Sequence, residues 1–377
     1  MKIVFTGGGT GGHFYPIIAV AEAVRKIARE RKLLTPELYY IAPHPYDKRA
    51  LFEHDIVFKA SPAGKIRTYM SVLNFFDFFK TGWGIIQATV QLFFIYPDVV
   101  FSKGGYASFP TVFAARILRI PVVIHDSDAV PGRVNLWAGK FARSIAVSYP
   151  EAIQFFPTGR VAHTGNPVRK ELLTLVREGA FEFLKLDPNT PTLFIIGGSQ
   201  GAQRINNVVL GALKNLVLSY QIIHQTGKKH LKEMEITSRV VLEGSKYAHR
   251  YKTFDHLNPL ALRMSAGASD LVISRAGSGA IFEIAAWGKP AIIIPIPESV
   301  SRDQHRNAFA YTRSGAAVVL EESNVTPNLL ISEIDRIMNN KALREEMSKK
   351  AEAFARPEAA NAIARELLAI AVEHESK

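Results

Sequence analysis

The sequence has no cysteine among its 377 residues. A disulfide framework, a catalytic thiolate and a thiolate-bound metal are therefore excluded, and the composition fits a reducing cytoplasm. Long apolar runs are also missing. Asp77, Lys80 and Asp98 interrupt the most apolar stretch, residues 69–101, which makes it a poor membrane span. The first residues run directly into a predicted strand, so we predict no signal peptide.

Two common nucleotide-binding signatures are incomplete. The glycine-rich turn at residues 7–12 is not closed by Gly-Lys-Ser/Thr, which excludes a Walker loop. Its glycines match the G-x-G-x-x-G pattern of nicotinamide-binding proteins, but the predicted second strand, residues 38–42, ends in Pro43 and His44, where those proteins place an acidic residue. A nicotinamide-dependent oxidoreductase is therefore the less favoured alternative. No RNA- or DNA-binding signature accompanies the net charge of +12, so we predict no nucleic-acid partner.

The N-terminal stretch predicts a strand, a glycine turn and a helix. Residues 2–6 are β-formers, residues 7–12 hold five glycines, and residues 16–25 have the apolar spacing of a helix. Such a turn presents backbone N–H groups at a helix N-terminus and suits a phosphate or diphosphate. His13 stands at its mouth, where an imidazole can act in catalysis. The alternative is a tight turn with only a packing role.

Alternating strand and helix patterns predict an α/β architecture with a doubly wound parallel sheet in each half. The chain is too long for one ordinary core, so we expect two domains that form a cleft. The Gly, Asn and Pro of residues 165–169 mark the crossing between them. The predicted strands are residues 2–6, 38–42, 56–60, 98–102, 121–125, 192–196, 271–274 and 291–295.

Ligands of open α/β sheets lie at the carboxyl ends of the strands, so the loops after the predicted strands are candidate sites. In the first half these loops carry Gly104, Gly105, Tyr106, His125, Asp126 and Asp128. A D-x-D pair such as Asp126 and Asp128 can hold Mg²⁺ or Mn²⁺ against a diphosphate. Because the glycine turns already offer charge stabilisation, we predict that no metal is required.

The second half offers complementary groups. Arg275 follows the strand at residues 271–274 and can add positive charge beside a helix whose small first residues expose N–H groups to a diphosphate. Glu283 can accept two hydrogen bonds from a ribose diol, or it is a solvated or capping carboxylate. The neutral amides of Gln304 and Asn307 can bind sugar hydroxyls.

Residues 65–94 are rich in aromatic side chains. One helical face is expected to pack on the sheet, and it carries Trp83, Ile86, Val90 and Phe93. The denser phenylalanine cluster at residues 75–79 has two interpretations. It is part of a core helix whose aromatic side chains extend beyond the packed face, or it is a monotopic patch whose rings enter an anionic membrane surface. In the second case head groups meet Lys65, Arg67 and Lys80, and the basic excess of residues 1–165 favours it.

Several motifs resemble those of the MurG family, the peripheral membrane N-acetylglucosaminyltransferases that convert lipid I to lipid II in peptidoglycan synthesis. The matching stretches are TGGGTGGH (6–13), SKGGYAS (102–108), GNPVR (165–169), GGSQGA (197–202), SRAGSGAIFEIAAWGKPAIIIP (274–295) and DQHRNA (303–308). The resemblance implies a GT-B fold of two Rossmann-like domains. It divides the chain into an acceptor and membrane-associating domain (1–164), a UDP-GlcNAc-binding domain (165–357) and a helix that packs back on the first domain (358–377).

The resemblance also implies roles for individual residues. The donor-binding residues are Thr10, Gly11, Gly12, Asp128, Arg169, Ser199, Arg275, Ser278, Gly279, Ala280, Ile281, Phe282, Glu283, Gln304 and Asn307. The acceptor-side residues are Gly104, Gly105, Tyr106, His125 and Asn135. For catalysis, we expect a base with a pKa near 7, with His13 as the first candidate and Asp126 as the second, and Tyr106 matches a position important for activity.

The chain departs from the family pattern in two places. Residues 125–128 read His-Asp-Ser-Asp instead of the usual His-Glu-Gln-Asn, and Asp303 replaces the histidine that usually precedes Gln304. An ionised Asp128 cannot donate the hydrogen bonds of an amide.

The function implied is an inverting transfer of GlcNAc from UDP-GlcNAc to the muramoyl 4-hydroxyl of lipid I, without a cofactor, at the cytoplasmic face of the cell membrane. The alternatives are another lipid or glycoside acceptor, the oxidoreductase, and a nucleotide-sugar sensor without activity.

Overall fold

The computed structural model describes residues 1–65, 72–197, 202–300 and 302–375. The chain divides into two units, the first formed by Met1–Arg169 with Arg356–Lys377 and the second by Lys170–Ala355. Each unit contains one parallel sheet with helices around it. The predicted fold class, two Rossmann-like domains with a final helix that returns to the first, is confirmed. The roles predicted for the two domains remain predictions.

The first unit contains a seven-stranded sheet in the order β3-β2-β1-β4-β5-β6-β7. Its strands are β1 (Lys2–Thr6), β2 (Glu37–Ala42), β3 (Ile56–Ala60), β4 (Val99–Ser102), β5 (Val122–Asp126), β6 (Ser144–Val147) and β7 (Val161–His163). Its helices include α1 (Gly11–Glu30), α2 (Lys48–Glu53), α3 (Val72–Ile95), α4 (Phe109–Ile117) and α5 (Arg133–Ala138). The strand order reverses between β1 and β4, which makes their carboxyl ends the switch point where such sheets bind ligands.

The second unit contains a six-stranded sheet in the order β10-β9-β8-β11-β12-β13. Its strands are β8 (Thr192–Ile196), β9 (Gln221–Gln225), β10 (Tyr251–Phe254), β11 (Leu271–Ser274), β12 (Ala291–Ile293) and β13 (Ala317–Val319). Its helices are α6 (Ala180–Phe183), α7 (Gln203–Ser219), α8 (Leu231–Val241), α9 (Pro259–Ala268), α10 (Ser278–Ala286), α11 (Arg302–Thr312), α12 (Pro327–Met338) and α13 (Lys341–Phe354). Here the order reverses between β8 and β11.

The last helix, α14 (Ala359–Glu375), completes the core of the first unit. Its apolar side chains recur at helical spacing and pack against α1, so that Ile363, Leu367 and Leu368 are almost fully buried. Near its end, His374 Nδ1 lies 2.7 Å from the Asp98 carboxylate. The C-terminal segment is therefore part of the first core.

The prediction of which face of α3, the aromatic helix, packs on the sheet is wrong. The side chains of Trp83, Ile86, Val90 and Phe93 are between 51% and 66% exposed. The buried face of α3 carries Ala88, Leu92 and Ile95 instead. Within the part of the chain that the structure describes, neither α3 nor another helix is long and apolar enough to cross a membrane.

Small residues decide which face of α3 packs inward. A Cβ added at Gly84 would lie 1.8 Å from the carbonyl oxygen of Pro62, so only glycine allows this close approach. Ser61 Oγ donates a hydrogen bond to the Gly84 carbonyl, 3.1 Å away, and Ala88 follows one turn later in the core. Backbone contact through this narrow face leaves the large side chains of α3 on the outside.

The burial of α14 predicts a stability effect. We expect Leu367→Ala to lower the free energy of unfolding by about 3 kcal/mol, because it leaves a cavity between α14 and α1. Urea denaturation followed by circular dichroism measures the change. Val372→Ala on the same helix is the matched control, since Val372 is 41% exposed. Equal effects of the two substitutions would contradict the described packing of α14.

Candidate active site

Three loops meet at the carboxyl edge of the first sheet, after β1, β4 and β5. Glycines make their close approach possible. A Cβ at Gly9 would lie 3.1 Å from the ring of Tyr106, and a Cβ at Gly104, whose φ is +78°, would lie 2.6 Å from Asn135 Nδ2. The structure thus brings Tyr106, Gly104 and Asn135 beside the N-terminal glycine turn, although they are distant in sequence.

His13 lies in the first turn of α1, which begins with Gly11 and Gly12. Its Nδ1 is 3.0 Å from Thr10 Oγ1, and a Cβ at Gly105 would lie 3.6 Å from its Nε2. Burial, with a smaller contribution from the nearby ammonium of Lys103, lowers the pKa of His13 to about 4. The imidazole is therefore neutral at pH 7, with a pKa below the expected value near 7.

Lys103 is a buried lysine that we did not predict as a site residue. It follows β4 directly and is 1% exposed. Its Nζ contacts three acceptors, which are His125 Nδ1 at 2.6 Å, Asn166 Oδ1 at 3.0 Å and Ser127 Oγ. Because an ammonium group has three N–H donors, this arrangement satisfies the protonated form of the side chain.

Two carboxylates compensate the buried ammonium of Lys103. Burial lowers the pKa of Lys103 to about 7, while the charges of Asp126 and Asp128 act in the opposite direction. Asp128 is one of the departures from the family pattern, where an uncharged asparagine is usual. The sequence signal that indicates Lys103 is a lysine directly after one strand together with an extra carboxylate after the neighbouring strand.

Asp126 shapes the loop after β5. Its Oδ1 accepts a hydrogen bond from the Asp128 N–H at 3.0 Å, and its Oδ2 accepts bonds from the Gly132 N–H at 3.1 Å and Asn135 Nδ2 at 2.8 Å. Burial and the neighbouring Asp128 raise its pKa to about 6. Both of its oxygens are thus engaged by the loop, which makes Asp126 a weaker candidate than His13 for the base.

The predicted acceptor-side residues His125 and Asn135 are buried in the same network. His125 Nε2 lies 3.0 Å from the Gly165 carbonyl, to which it donates, so its Nδ1 is the acceptor for Lys103. Asn135 Nδ2 also donates to the His125 carbonyl at 3.0 Å. These two side chains are placed to hold the loops in position. Gly104 is buried with them, whereas Gly105 and Tyr106 are half-buried and form the more accessible part of the site.

Of four further predicted residues, two lie at other parts of this edge and two fall outside the described residues. The guanidinium of Arg169 lies over the ring of Tyr15 in α1, 4.3 Å from the ring centroid. Lys65 Nζ lies 5.2 Å from the centroid of the Tyr106 ring. Ser199 and the basic residue Arg67 fall outside the described residues.

In the second unit, the predicted donor segment begins α10 at the carboxyl end of β11. Ser278 is its first residue, and a Cβ at Gly279 would meet nothing within 4 Å. Ala280 and Glu283 are half-buried, whereas the side chains of Ile281 and Phe282 are in the core. Only the backbone of these two core residues is available to a ligand.

Arg275 and Asn307 support the same turn. Arg275 Nη2 lies 2.6 Å from the Glu322 carboxylate in a largely buried ion pair, and its Nη1 donates to the Ile294 carbonyl at 3.2 Å. Asn307 Nδ2 lies 3.5 Å from the Ala276 carbonyl. The charge of Arg275 is thus already partnered.

Gln304, on the same helix as Asn307, is half-buried, and its Oε1 has no hydrogen-bond partner among the described residues.

The residues described by the structure include no cluster of three or more histidine and carboxylate side chains suited to a metal ion. That no metal is required stays a prediction.

Comparisons with known proteins agree with this architecture. The Glycosyltransferase family 28 N-terminal domain matches residues 3–147, and the Glycosyltransferase family 28 C-terminal domain matches residues 192–363. The structure of MurG from Acinetobacter baumannii is similar over 98% of this chain and 99% of that chain, with a TM-score of 0.73 and 24% identity. The two parallel-sheet domains therefore define a glycosyltransferase of the GT-B fold.

Two bacterial relatives are similar over nearly their whole length. In Bacillus thuringiensis, the "UDP-N-acetylglucosamine--N-acetylmuramyl-(pentapeptide) pyrophosphoryl-undecaprenol N-acetylglucosamine transferase 2" is 38% identical over 351 residues, 92% of this chain and 95% of that protein. The transferase of corresponding name from Legionella pneumophila is 37% identical over 90% of both chains. The chain belongs to the MurG family of glycosyltransferase family 28. The predicted family is confirmed, and the oxidoreductase alternative has no support.

If the charges of Lys103 and Asp128 compensate each other, the effects of substituting the two residues on stability should not be additive. We expect Lys103→Met to lower the free energy of unfolding by about 3 kcal/mol, because it leaves the buried Asp126 and the half-buried Asp128 without their nearby cation. Adding Asp128→Asn should recover part of this loss, since it removes one of those charges. Urea denaturation measures both variants, and Lys59→Met at an exposed lysine is the control. A double variant no more stable than Lys103→Met would contradict the compensation.

Proposed function

We propose that this protein transfers N-acetylglucosamine from UDP-GlcNAc to the 4-hydroxyl of the muramoyl sugar of lipid I and so forms lipid II for peptidoglycan synthesis. The main support is the match to a transferase of that printed activity over 92% of this chain and 95% of the relative. The glycine turns at the carboxyl edges of both sheets add a physical reason, because each can bind a phosphorylated ligand.

The second unit is the proposed site of the donor. The backbone N–H groups at the start of α10, in a helix N-terminus formed by small residues including Gly279, suit the diphosphate of UDP-GlcNAc. Glu283 can accept hydrogen bonds from the ribose hydroxyls, and Gln304 has an amide oxygen without a described partner that can accept one from the GlcNAc hydroxyls. The ion pair between Arg275 and Glu322 stabilises this turn. The negative charge of the diphosphate is therefore stabilised mainly by backbone N–H groups.

The first unit is the proposed site of the acceptor, with His13 as the general base. The oxygen of the muramoyl 4-hydroxyl attacks the anomeric carbon, the bond from that carbon to UDP breaks, and configuration inverts. The hydroxyl proton passes to His13 Nε2, which requires that Nδ1 carries a proton and donates to Thr10 Oγ1, 3.0 Å away. Negative charge from a bound diphosphate would raise the low pKa of His13 towards the working pH.

The outer face of α3 is the proposed membrane-docking surface. Phe75, Phe78 and Trp83 are 64%, 75% and 63% exposed, and Phe94 near its end is 78% exposed. An apolar face of this length is unusual on a protein surface in water and is typical of a helix that lies in a membrane interface. Lys65 lies over Tyr106 at the candidate site, and its neighbour Gly64 donates to Thr81 Oγ1 of α3 at 3.0 Å, so this part of α3 lies near the edge where a lipid-linked acceptor would enter.

The first test is transfer of labelled GlcNAc from UDP-GlcNAc to a short-chain lipid I analogue. We expect His13→Ala to lower kcat at least about a hundredfold, because a positioned base contributes that much or more. His44→Ala, at an exposed histidine, is the control. Since the pKa of His13 is about 4 in the free protein, kcat/KM should stay level down to about pH 5 and fall as His13 is protonated.

Each outcome of this assay is informative. Near-normal turnover of His13→Ala would mean that His13 is not the base. Transfer that survives EDTA leaves Asp126 and Asp128 without a required metal, whereas loss that Mg²⁺ or Mn²⁺ reverses assigns them one. Binding of UDP-GlcNAc without transfer to the lipid I analogue indicates another acceptor, and binding without any UDP release indicates a sensor.

The docking surface predicts that aromatic substitutions weaken membrane binding. Co-sedimentation with vesicles of phosphatidylcholine and phosphatidylglycerol should show at least about a tenfold loss for the double variant Phe75→Ser/Phe79→Ser, since each buried phenylalanine contributes about 1.5–3 kcal/mol. Phe52→Ser is the control, because Phe52 is 85% exposed but lies on α2. Unchanged binding of the double variant would exclude this face as the docking surface.

A further inference from the structure

Tyr40 is a buried tyrosine near the carboxyl end of β2, beside the glycine turn that follows β1. Side chains alternate along β2, so Tyr40 lies in the same core as Leu38, whereas Tyr39 faces the opposite side of the sheet. The Tyr40 side chain is fully buried, although it carries a hydroxyl group. A buried hydroxyl needs a hydrogen-bond partner, and the partner of Tyr40 belongs to the candidate active site.

The Tyr40 hydroxyl donates a hydrogen bond to the Gly7 carbonyl oxygen, 2.6 Å away. Burial, with a smaller contribution from the nearby Tyr106, raises the pKa of Tyr40 above its usual range, so the hydroxyl keeps the proton that it donates. In a trans peptide the C=O and N–H bonds point in opposite directions. Because the Gly7 carbonyl is held towards Tyr40, the N–H group of Gly8 points away from Tyr40. This one side chain fixes the orientation of a peptide group in the turn.

The glycine turn depends on such contacts because its backbone conformation is unusual. Gly7 and Gly8 have φ values of +145° and +150°, which residues with a side chain rarely adopt. A Cβ at Gly7 would lie 2.8 Å from the Lys103 Cβ, and a Cβ at Gly8 would lie 2.9 Å from the Tyr40 hydroxyl oxygen. Glycine has no side chain that could hold the turn in one conformation. Side chains from the neighbouring strands therefore hold it.

The ring of Tyr40 supports the other end of the turn. It packs edge-on against the ring of Phe14, with the centroids 5.6 Å apart. Phe14 is buried in the first turns of α1 and directly follows His13. Tyr40 therefore contacts the chain both at Gly7, where the turn begins, and at Phe14, after it ends. His13 lies between these two contacts.

We propose that Tyr40 is a positioning residue for the transfer reaction, which holds the glycine turn and His13 in the geometry required for proton transfer. The proposal rests on the acceptor site and the general base proposed above. The Tyr40 hydroxyl is engaged by the Gly7 carbonyl, so Tyr40 acts through the backbone and not as an acid or a base. A base must lie within hydrogen-bond reach of the proton that it accepts, so a small displacement of His13 is costly.

The test removes the hydroxyl and keeps the ring. Tyr40→Phe preserves the contact with Phe14, so we expect a folded protein whose kcat for the short-chain lipid I analogue is at least about tenfold lower. KM for UDP-GlcNAc should change less than about twofold, because the proposed donor contacts lie in the second unit. Tyr39→Phe is the matched control, since Tyr39 is the next residue of β2 and its hydroxyl donates to the Glu37 carboxylate instead.

Amide hydrogen exchange of residues 7–14 measures the conformation of the turn without any substrate. Tyr40→Phe should increase the exchange rate in this segment about tenfold, because local opening no longer has to break the hydrogen bond to Gly7. Tyr39→Phe should leave the exchange rate unchanged.

The outcomes separate this role from general stability and from the proposed function. Ile56→Val, a conservative change on β3 in the same core, is the comparison for a general loss of stability. An equal loss of kcat in Ile56→Val and Tyr40→Phe would overturn the proposal. If the unchanged protein forms no lipid II, the proposed function fails, but faster exchange in Tyr40→Phe still supports the hold of Tyr40 on the turn. Unchanged exchange in Tyr40→Phe would overturn the proposal by itself.

Discussion

All strands of a parallel sheet end at the same edge, and the candidate active site depends on this constraint. The carboxyl ends of β1, β4 and β5 bring the loops of His13, Tyr106 and Asp126 together. Helices and loops can approach so closely only where side chains are absent. At Gly104, both the positive φ and the contact with Asn135 require glycine. The strand order thus brings the loops of the site together, and glycine residues allow their backbones to approach closely.

Because the charged groups at this edge are buried, they interact strongly with one another. Lys103 is buried, with its three donors satisfied by His125, Ser127 and Asn166, and the nearby carboxylates of Asp126 and Asp128 compensate it. The same positive charge helps to keep His13 neutral. A carboxylate at position 128 cannot donate the hydrogen bonds of an amide, but its negative charge stabilises the buried ammonium of Lys103. The two residues are best understood as one electrostatic unit.

The packing of α3 decides which of its side chains lie on the surface of the first unit. Helix α3 uses its small residues, including Gly84 and Ala88, for packing, so its aromatic residues remain outside. The candidate active site lies near the start of this helix, where Lys65 lies over the ring of Tyr106.

Local pattern and motif order were enough to predict the α/β class, the strands at residues 56–60, 192–196 and 271–274, the glycine turns and the family. These features depend on near neighbours in the chain, such as alternation, helical spacing and the need for glycine in a tight turn. The inward face of α3 and the partners of Lys103 were decided only by the tertiary structure. Each depends on which distant segments pack together, and no local spacing of residues specifies that.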